Sequence, residues 1–157
     1  MATPSAGTGG EQDQFWPLPK YYFSVDIGDQ TDLAFQEITG LDSGQEVIEY
    51  RHGNSRVHSV IKMPGLGSNG SDITMKKGVF TGDNNLYELI AKISLNTYER
   101  MTVVIRLLDE TGSPKVTWTL TNTFVKQITS TDLNSQSSEA AIESIVFSND
   151  GFLMEAS

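Results

Sequence analysis

The chain of 157 residues has no cysteine, which excludes disulfide staples, thiolate zinc sites and cysteine nucleophiles. Histidine occurs only at positions 52 and 58, so imidazole chemistry has two candidates. Positive charge is scarce: 11 Lys and Arg against 20 Asp and Glu leave a formal net charge of −9. A surface of that sign repels phosphate backbones, which disfavours nucleic-acid binding. No apolar run reaches the roughly 18 residues of a membrane-spanning helix, so insertion into a membrane by the monomer is not expected. The opening MATPSAGTGGEQDQ has neither the basic start nor the apolar stretch of a secretory signal. The expectation is synthesis in the cytoplasm without a signal peptide, so that export, if any, does not follow the general secretory route. The length suits one domain with a sizeable core.

What is present is mostly period-two alternation. Residues 1–14 are small, polar and glycine-rich and read as a flexible arm, leaving 15–157 as a single domain. In KYYFSVDIG, Tyr21, Phe23, Val25 and Ile27 share one face of an extended chain. GDQTD reads as a turn, LAFQEIT as a strand, and EVIEYR as another, with Ile48 and Tyr50 opposing Val47, Glu49 and Arg51. VHSVIKM continues in strand form up to Pro64. SDITMKKGVF groups Ile73, Met75 and Lys77 against Thr74 and Lys76. RMTVVIRLLD is apolar on both sides and is expected to be covered on both faces. KVTWTLTNTF alternates Val116, Trp118 and Leu120 with hydroxyl residues, TSTDLNSQSSEA is a loop, and AIESIVFSN closes the series. One segment departs from this rhythm. In GDNNLYELIAKISL, Leu86, Leu89, Ile90 and Ile93 recur at helical spacing. The predicted fold is mainly β: a small β-barrel or two packed antiparallel sheets with one α-helix.

The motifs of chemistry fail on context. GLGSNG, residues 65–70, fits the spacing of a dinucleotide loop, but such a loop needs a helix directly after it to hold the pyrophosphate. Here SDITMKK follows and alternates as a strand, so the glycines read as a flexible connection between strands. His52 and His58 flank a break and could face one another across a hairpin, yet they lack a third metal ligand apart from Glu49. Glu46, Glu49 and Glu143 could be drawn as hydrolytic carboxylates or as a plain charged face. Tyr21, Tyr22 and Trp118 could supply the aromatic platform of a carbohydrate-binding β-sandwich. Neither cofactor nor metal is called for. Met63, Met75 and Met101 read as core filler. Arg51, Arg56, Lys62, Lys76 and Lys77 gather mid-chain, and Asp26, Asp29, Asp32, Glu37 and Asp42 lie earlier. That segregation suits either solvated strand edges or head-to-tail pairing between copies.

In order and spacing, WPLPKYYFSVDI, FQEITGLDSGQEVIEYRHG, IKMPGL, DITMKKGVFTGDNNLYELI, LNTYERMTVVIRLLDETGSPKVTWTLTN and DLNSQSSEAAIESIVFSNDG resemble the tail tube proteins of contractile machines. That family covers contractile phage tails, extracellular contractile injection systems and the haemolysin-coregulated protein of type VI secretion. The resemblance implies homo-hexameric rings of β-barrel protomers, stacked head to tail into a hollow tube. A contractile sheath, a baseplate or hub and a tube cap are the implied partners, with cargo in the lumen. The tube would sit in an extracellular particle, a virion tail or a membrane-attached apparatus. It further implies a ring-stacking loop at Tyr50, Arg51, His52, Asn54, Arg56 and His58, and terminal-arm contacts through Phe15, Trp16, Phe152 and Leu153. The helix stripe Leu86, Leu89, Ile90 and Ile93 would pack on the core, and Glu49, Lys62, Thr74 and Lys76 would face the lumen. A phage tube conducting DNA and a carbohydrate-binding module are the alternatives, and no enzymatic activity is expected.

Overall fold

The computed structural model describes residues 18, 20–54, 56–57, 60–68, 72–79, 87–88, 91, 95 and 99–157. Within them the chain forms β1 (Phe23–Ile27), β2 (Gln30–Leu33), β3 (Glu37–Thr39), β4 (Gly44–Tyr50), β5 (Ile61–Ser68), β6 (Ile73–Gly78), β7 (Met101–Leu108), β8 (Pro114–Thr129), β9 (Ile142–Ser148) and β10 (Phe152–Ala156). Every ladder is antiparallel. The main sheet runs β2-β1-β7-β8-β9-β6-β3, β10 adds to β8, and β4 with β5 forms a separate two-stranded ladder.

The sixteen residues of β8 organise the body. Its first half pairs with β7 and β10, and its second half with β9. Between the halves Asn122 takes a left-handed conformation (φ 50), and the register slips between Val125 and Gln127. Irregularities of this kind let a strand turn a corner from one sheet to another. The two half-sheets therefore face each other across one core. Val25, Ile27, Leu33, Val103, Ile105 and Leu120 enter from one side, and Ile73, Met75, Val125, Ile145 and Phe147 from the other. Burial follows the alternation that the sequence predicts: β6 reads buried at Ile73, Met75 and Lys77, and β9 at Glu143, Ile145 and Phe147. Lys77 and Glu143 lie opposite each other in the register and are 5% and 8% exposed. Two charges of opposite sign thus end the core face together, which offsets part of the desolvation each would suffer alone.

Several boundaries differ from the sequence reading. The turn in GDQTD is only Gly28 and Asp29, because Ile27 pairs with Gln30 and the chain returns at once as β2. LAFQEIT divides between β2 and β3. The strand that runs toward Pro64 continues through it to Ser68, so Gly65 and Gly67 belong to β5 and do not form the flexible connection expected of them. Proline is tolerated there because a two-stranded ladder has only edge strands. Gly65 also sits close to its partner strand: a Cβ would lie 3.1 Å from the Glu46 carbonyl oxygen and 3.2 Å from the Ile48 side chain, so one of them would have to shift slightly. Phe152 and Leu153, read as terminal-arm contacts, open the tenth strand of the chain's own sheet. The double coverage expected of β7 holds on one side only, with Val103 and Ile105 buried and Val104 and Leu108 half-buried. Met75 is fully buried and Met101 packs on the core, but Met63 is 43% exposed on β5 and is not core filler. Tyr87, Glu88 and Ala91 are helical and exposed, and the Leu95 N–H donates to the Ala91 carbonyl at 3.3 Å. The stripe Leu86, Leu89, Ile90 and Ile93 lies outside the described residues. No helix among the described residues is long and apolar enough to cross a membrane.

Candidate assembly interface

The β4–β5 hairpin is built differently from the rest. All seven residues of β4 are exposed, and the packing of both strands is chiefly on one another. Cross-strand partners share a face, and faces alternate along each strand. The register pairs Ile48 with Met63 and Tyr50 with Ile61, which puts four apolar side chains on one face. They are 51%, 43%, 49% and 52% exposed, respectively. The opposite face carries Val47 beside Pro64 and Glu49 beside Lys62, with the Lys62 Nζ 3.8 Å from the Glu49 carboxylate. An isolated two-stranded hairpin is marginal in water. This one gives its uncharged face nothing to cover within the described residues, which is how a surface made for another chain appears.

At the tip, the Tyr50 and His52 rings meet edge to face with centroids 4.9 Å apart. Arg51, Asn54 and Arg56 are exposed, and neither arginine has an ion pair among the described residues. His58 lies outside the described residues, as do Phe15 and Trp16. Phe152 packs against the chain's own core, whereas Leu153 and Met154 are 59% and 57% exposed. The four residues assigned to the lumen fall into two pairs on separate sheets. Glu49 and Lys62 are on the hairpin. Thr74 and Lys76 are on β6, where the Lys76 Nζ reaches Glu37 at 3.0 Å.

The sequence reading took Tyr50 to His58 as the stacking segment and Met63 as core filler, and it did not group Ile61 and Met63 with Ile48 and Tyr50 as the register does. The signal was there: EVIEY and VIKM both alternate, and pairing them aligns their apolar positions. The residues considered for catalysis are not brought together. Glu46 and Glu49 stand on the exposed hairpin, while Glu143 is buried opposite Lys77. No group of three metal-binding side chains gathers among the described residues. The aromatic platform also separates: Tyr21 and Trp118 line one cleft, whereas the Tyr22 hydroxyl lies beside Gly112 in the β7–β8 turn. That cleft, about 550 Å³, opens where β1, β7 and β8 face β3, with Phe23, Ile38, Leu41 and Leu107 completing its apolar walls.

The acidic residues are likewise divided. Asp26 accepts from the Arg106 guanidinium and, at 2.9 Å, from the Asp32 N–H. Partial burial pushes its pKa up, but those two donors outweigh it and hold the carboxyl below its ordinary value of 3.8. A carboxyl with a depressed folded-state pKa stabilises the fold above its unfolded pKa and loses that contribution as pH falls through the folded one. Asp26→Asn should therefore lower the urea midpoint at pH 7, and the gap from the parent should close as pH drops below about 3.8. An unchanged gap through that window would show that the Asp26–Arg106 pair contributes nothing through ionisation. Asp29, Asp32 and Asp42 are exposed, with no ion pair among the described residues.

Comparison with known proteins places this geometry in context. The family described as T4-like virus tail tube protein gp19 matches residues 19–153. A chain in the PVC sheath–tube complex of an extracellular contractile injection system, in its extended state, is 34% identical, with 90% of this chain and 93% of that one covered and a TM-score of 0.79. A chain from the tube-terminating cap of the anti-feeding prophage is also 34% identical, covering 98% of this chain and 100% of its own, with a TM-score of 0.80. Hcp1 from Flavobacterium johnsoniae shares the fold at 14% identity and a TM-score of 0.52, with 86% of this chain and 95% of that one covered. No match was found among curated protein sequences.

Proposed function

The chain belongs to the T4-like virus tail tube protein family, and from that premise we propose that it forms the inner tube of an extracellular contractile injection particle as stacked hexameric rings around a cargo channel. It is a structural tube subunit, not an enzyme. The observation that carries the finer reading is the 34% identity, over nine-tenths of the chain, to a protein in a sheath–tube complex. Its neighbours are components of extracellular contractile injection particles.

Mechanically, such a subunit must transmit force without yielding. Stiffness in a tube of small domains comes from contacts repeated identically around and along it, each copy presenting one surface to the next. The stacking element is the β4–β5 hairpin with its tip residues Tyr50, Arg51, His52, Asn54 and Arg56. Its apolar face supports that role because burial on a neighbour removes from water what the monomer leaves exposed. Leu153 and Met154 give β10 a further exposed apolar edge toward neighbours. A sheath driving the tube, a baseplate that nucleates it and a cap that ends it are the partners, and the lumen is lined from polar strand faces such as Thr74 and Lys76. The family description is viral, which favours one second reading, a phage tail tube that conducts DNA.

Negative-stain microscopy and sedimentation of the full chain, alone and expressed with sheath and baseplate proteins, test the proposal. Annular particles or hollow filaments with sixfold end views are expected. A strictly monomeric chain in every such mixture would overturn it, and tubes attached to DNA-filled capsids would move the assignment to the phage reading.

A further inference from the structure

We propose that the cleft between β1, β7, β8 and β3 receives the β4–β5 hairpin of a second copy of this chain, apolar face inward. This rests on the reading of the chain as a self-assembling tube subunit and adds the receiving surface to it. Both surfaces carry apolar side chains, in the cleft beside the polar Lys20, Gln36, Glu37 and Thr39, and both are open among the described residues. The hairpin offers Ile48, Tyr50, Ile61 and Met63, each about half exposed. The cleft offers Phe23, Ile38, Leu41, Leu107 and Trp118, with Tyr21, 80% exposed, at its mouth.

Charge complements the apolar match. Arg51 and Arg56 at the hairpin tip have no ion pair among the described residues, and neither does Asp42, which follows the cleft-wall residue Leu41. On one chain these charges stay apart at opposite ends of the hairpin. On a docked pair, the basic tip of one copy meets the acidic margin of the next, and opposite signs meeting across the contact fix its register. Continuity supplies the directional argument. Leu41 walls the cleft, and the hairpin departs at Gly44, so each copy extends its hairpin from beside the place where it receives another's. Donor and acceptor are different surfaces, which makes the contact head-to-tail and able to propagate.

The absence of cysteine makes the test clean. Ile61→Cys and Tyr21→Cys each put one thiol at an exposed position, 52% and 80% accessible, where the monomer fold should not suffer. Assemblies grown from an equal mixture of the two, treated with a short bis-maleimide, should give covalent dimers far above those from Ile61→Cys mixed with Leu133→Cys. The chain carrying both thiols should give a ladder of dimers, trimers and higher species. Dimer yields no higher than with Leu133→Cys, in tubes of normal appearance, would overturn the cleft assignment and leave the tube reading standing. Cross-linked monomer without a ladder would also overturn it, by showing the hairpin folded onto its own cleft. If the thiol variants do not assemble, Ile48→Glu and Leu107→Glu proteins supply a second measurement. Each alone should stay monomeric, and the mixture should form a one-to-one dimer that cannot extend; a mixture that stays monomeric would reject the proposal. Failure of the parent chain to assemble under any condition would sink the tube reading itself.

Discussion

A protein carrying both Ile48→Glu and Tyr50→Glu should unfold at the same urea concentration as the parent and form no tube. Each position is about half exposed in the monomer, at 51% and 49%, and neither belongs to the core cluster. Substitutions at such places usually change stability by within about 0.5 kcal/mol. In an assembly the same two carboxylates would be buried against a neighbour's apolar surface. Burying an unpaired charge costs several kcal/mol even after relaxation, at least ~3 for each contact. The lost apolar burial adds roughly 1 kcal/mol for each residue. A penalty of that size is incurred by every copy and accumulates along the polymer. Sedimentation and negative-stain imaging check the outcome, with Leu133→Glu, on a loop position 92% exposed, as the charge control. Full-length tubes from the double variant would show that the hairpin face is not an interface.

Gly40→Ala should destabilise the monomer by about 3–5 kcal/mol, a large part of the roughly 5–15 kcal/mol that holds a domain together. Two causes coincide. Gly40 has φ +96, a conformation in which a side chain is strained whatever the space around it. A Cβ there would also stand 2.2 Å from the Asp72 carbonyl oxygen and 3.3 Å from the Ile73 Cα. Those are backbone atoms at the entry to β6, next to the Thr39–Thr74 pair that joins β3 to the sheet. Nothing there can rotate away; the strand itself must move, and Ile73 and Met75, both fully buried, would move with it. Gly44→Ala is the matched control, since its Cβ would meet nothing within 4 Å, and it should change the urea midpoint little. Equal midpoints for the two variants would refute the close-approach argument.

The strands and their faces were legible because alternation is a local property. Phe23, Val25 and Ile27, Ile73, Met75 and Lys77, and the two faces of β9 all follow from counting by two. The ordered set of segments also pointed to the tail tube family, because such an order is written along the chain without reference to folding. Less of the proposed interface could be read. Ile61 and Met63 gain their meaning only when β5 lies against β4 in the observed register, and the cleft draws its walls from residues 20 to 118. β2 and β10 were missed for a similar reason. Four or five residues carry too little pattern to be strands on their own, and pairing with β1 and β8 makes them so.

The contrast between KYYFSVDI and EVIEY marks the boundary. The sequence alone settled that both are extended chains with an apolar side, that no thiol chemistry is available, and that the whole resembles a tube subunit. It did not settle which apolar side is buried. β1 lies between β2 and β7 and sends Val25 and Ile27 into the core, whereas among the described residues β4 pairs with β5 alone and leaves Ile48 and Tyr50 about half exposed. Burial depends on what lies across the sheet and above it, and those neighbours come from distant parts of the chain. Only the tertiary structure separates an apolar stripe that holds the monomer together from one left exposed on it.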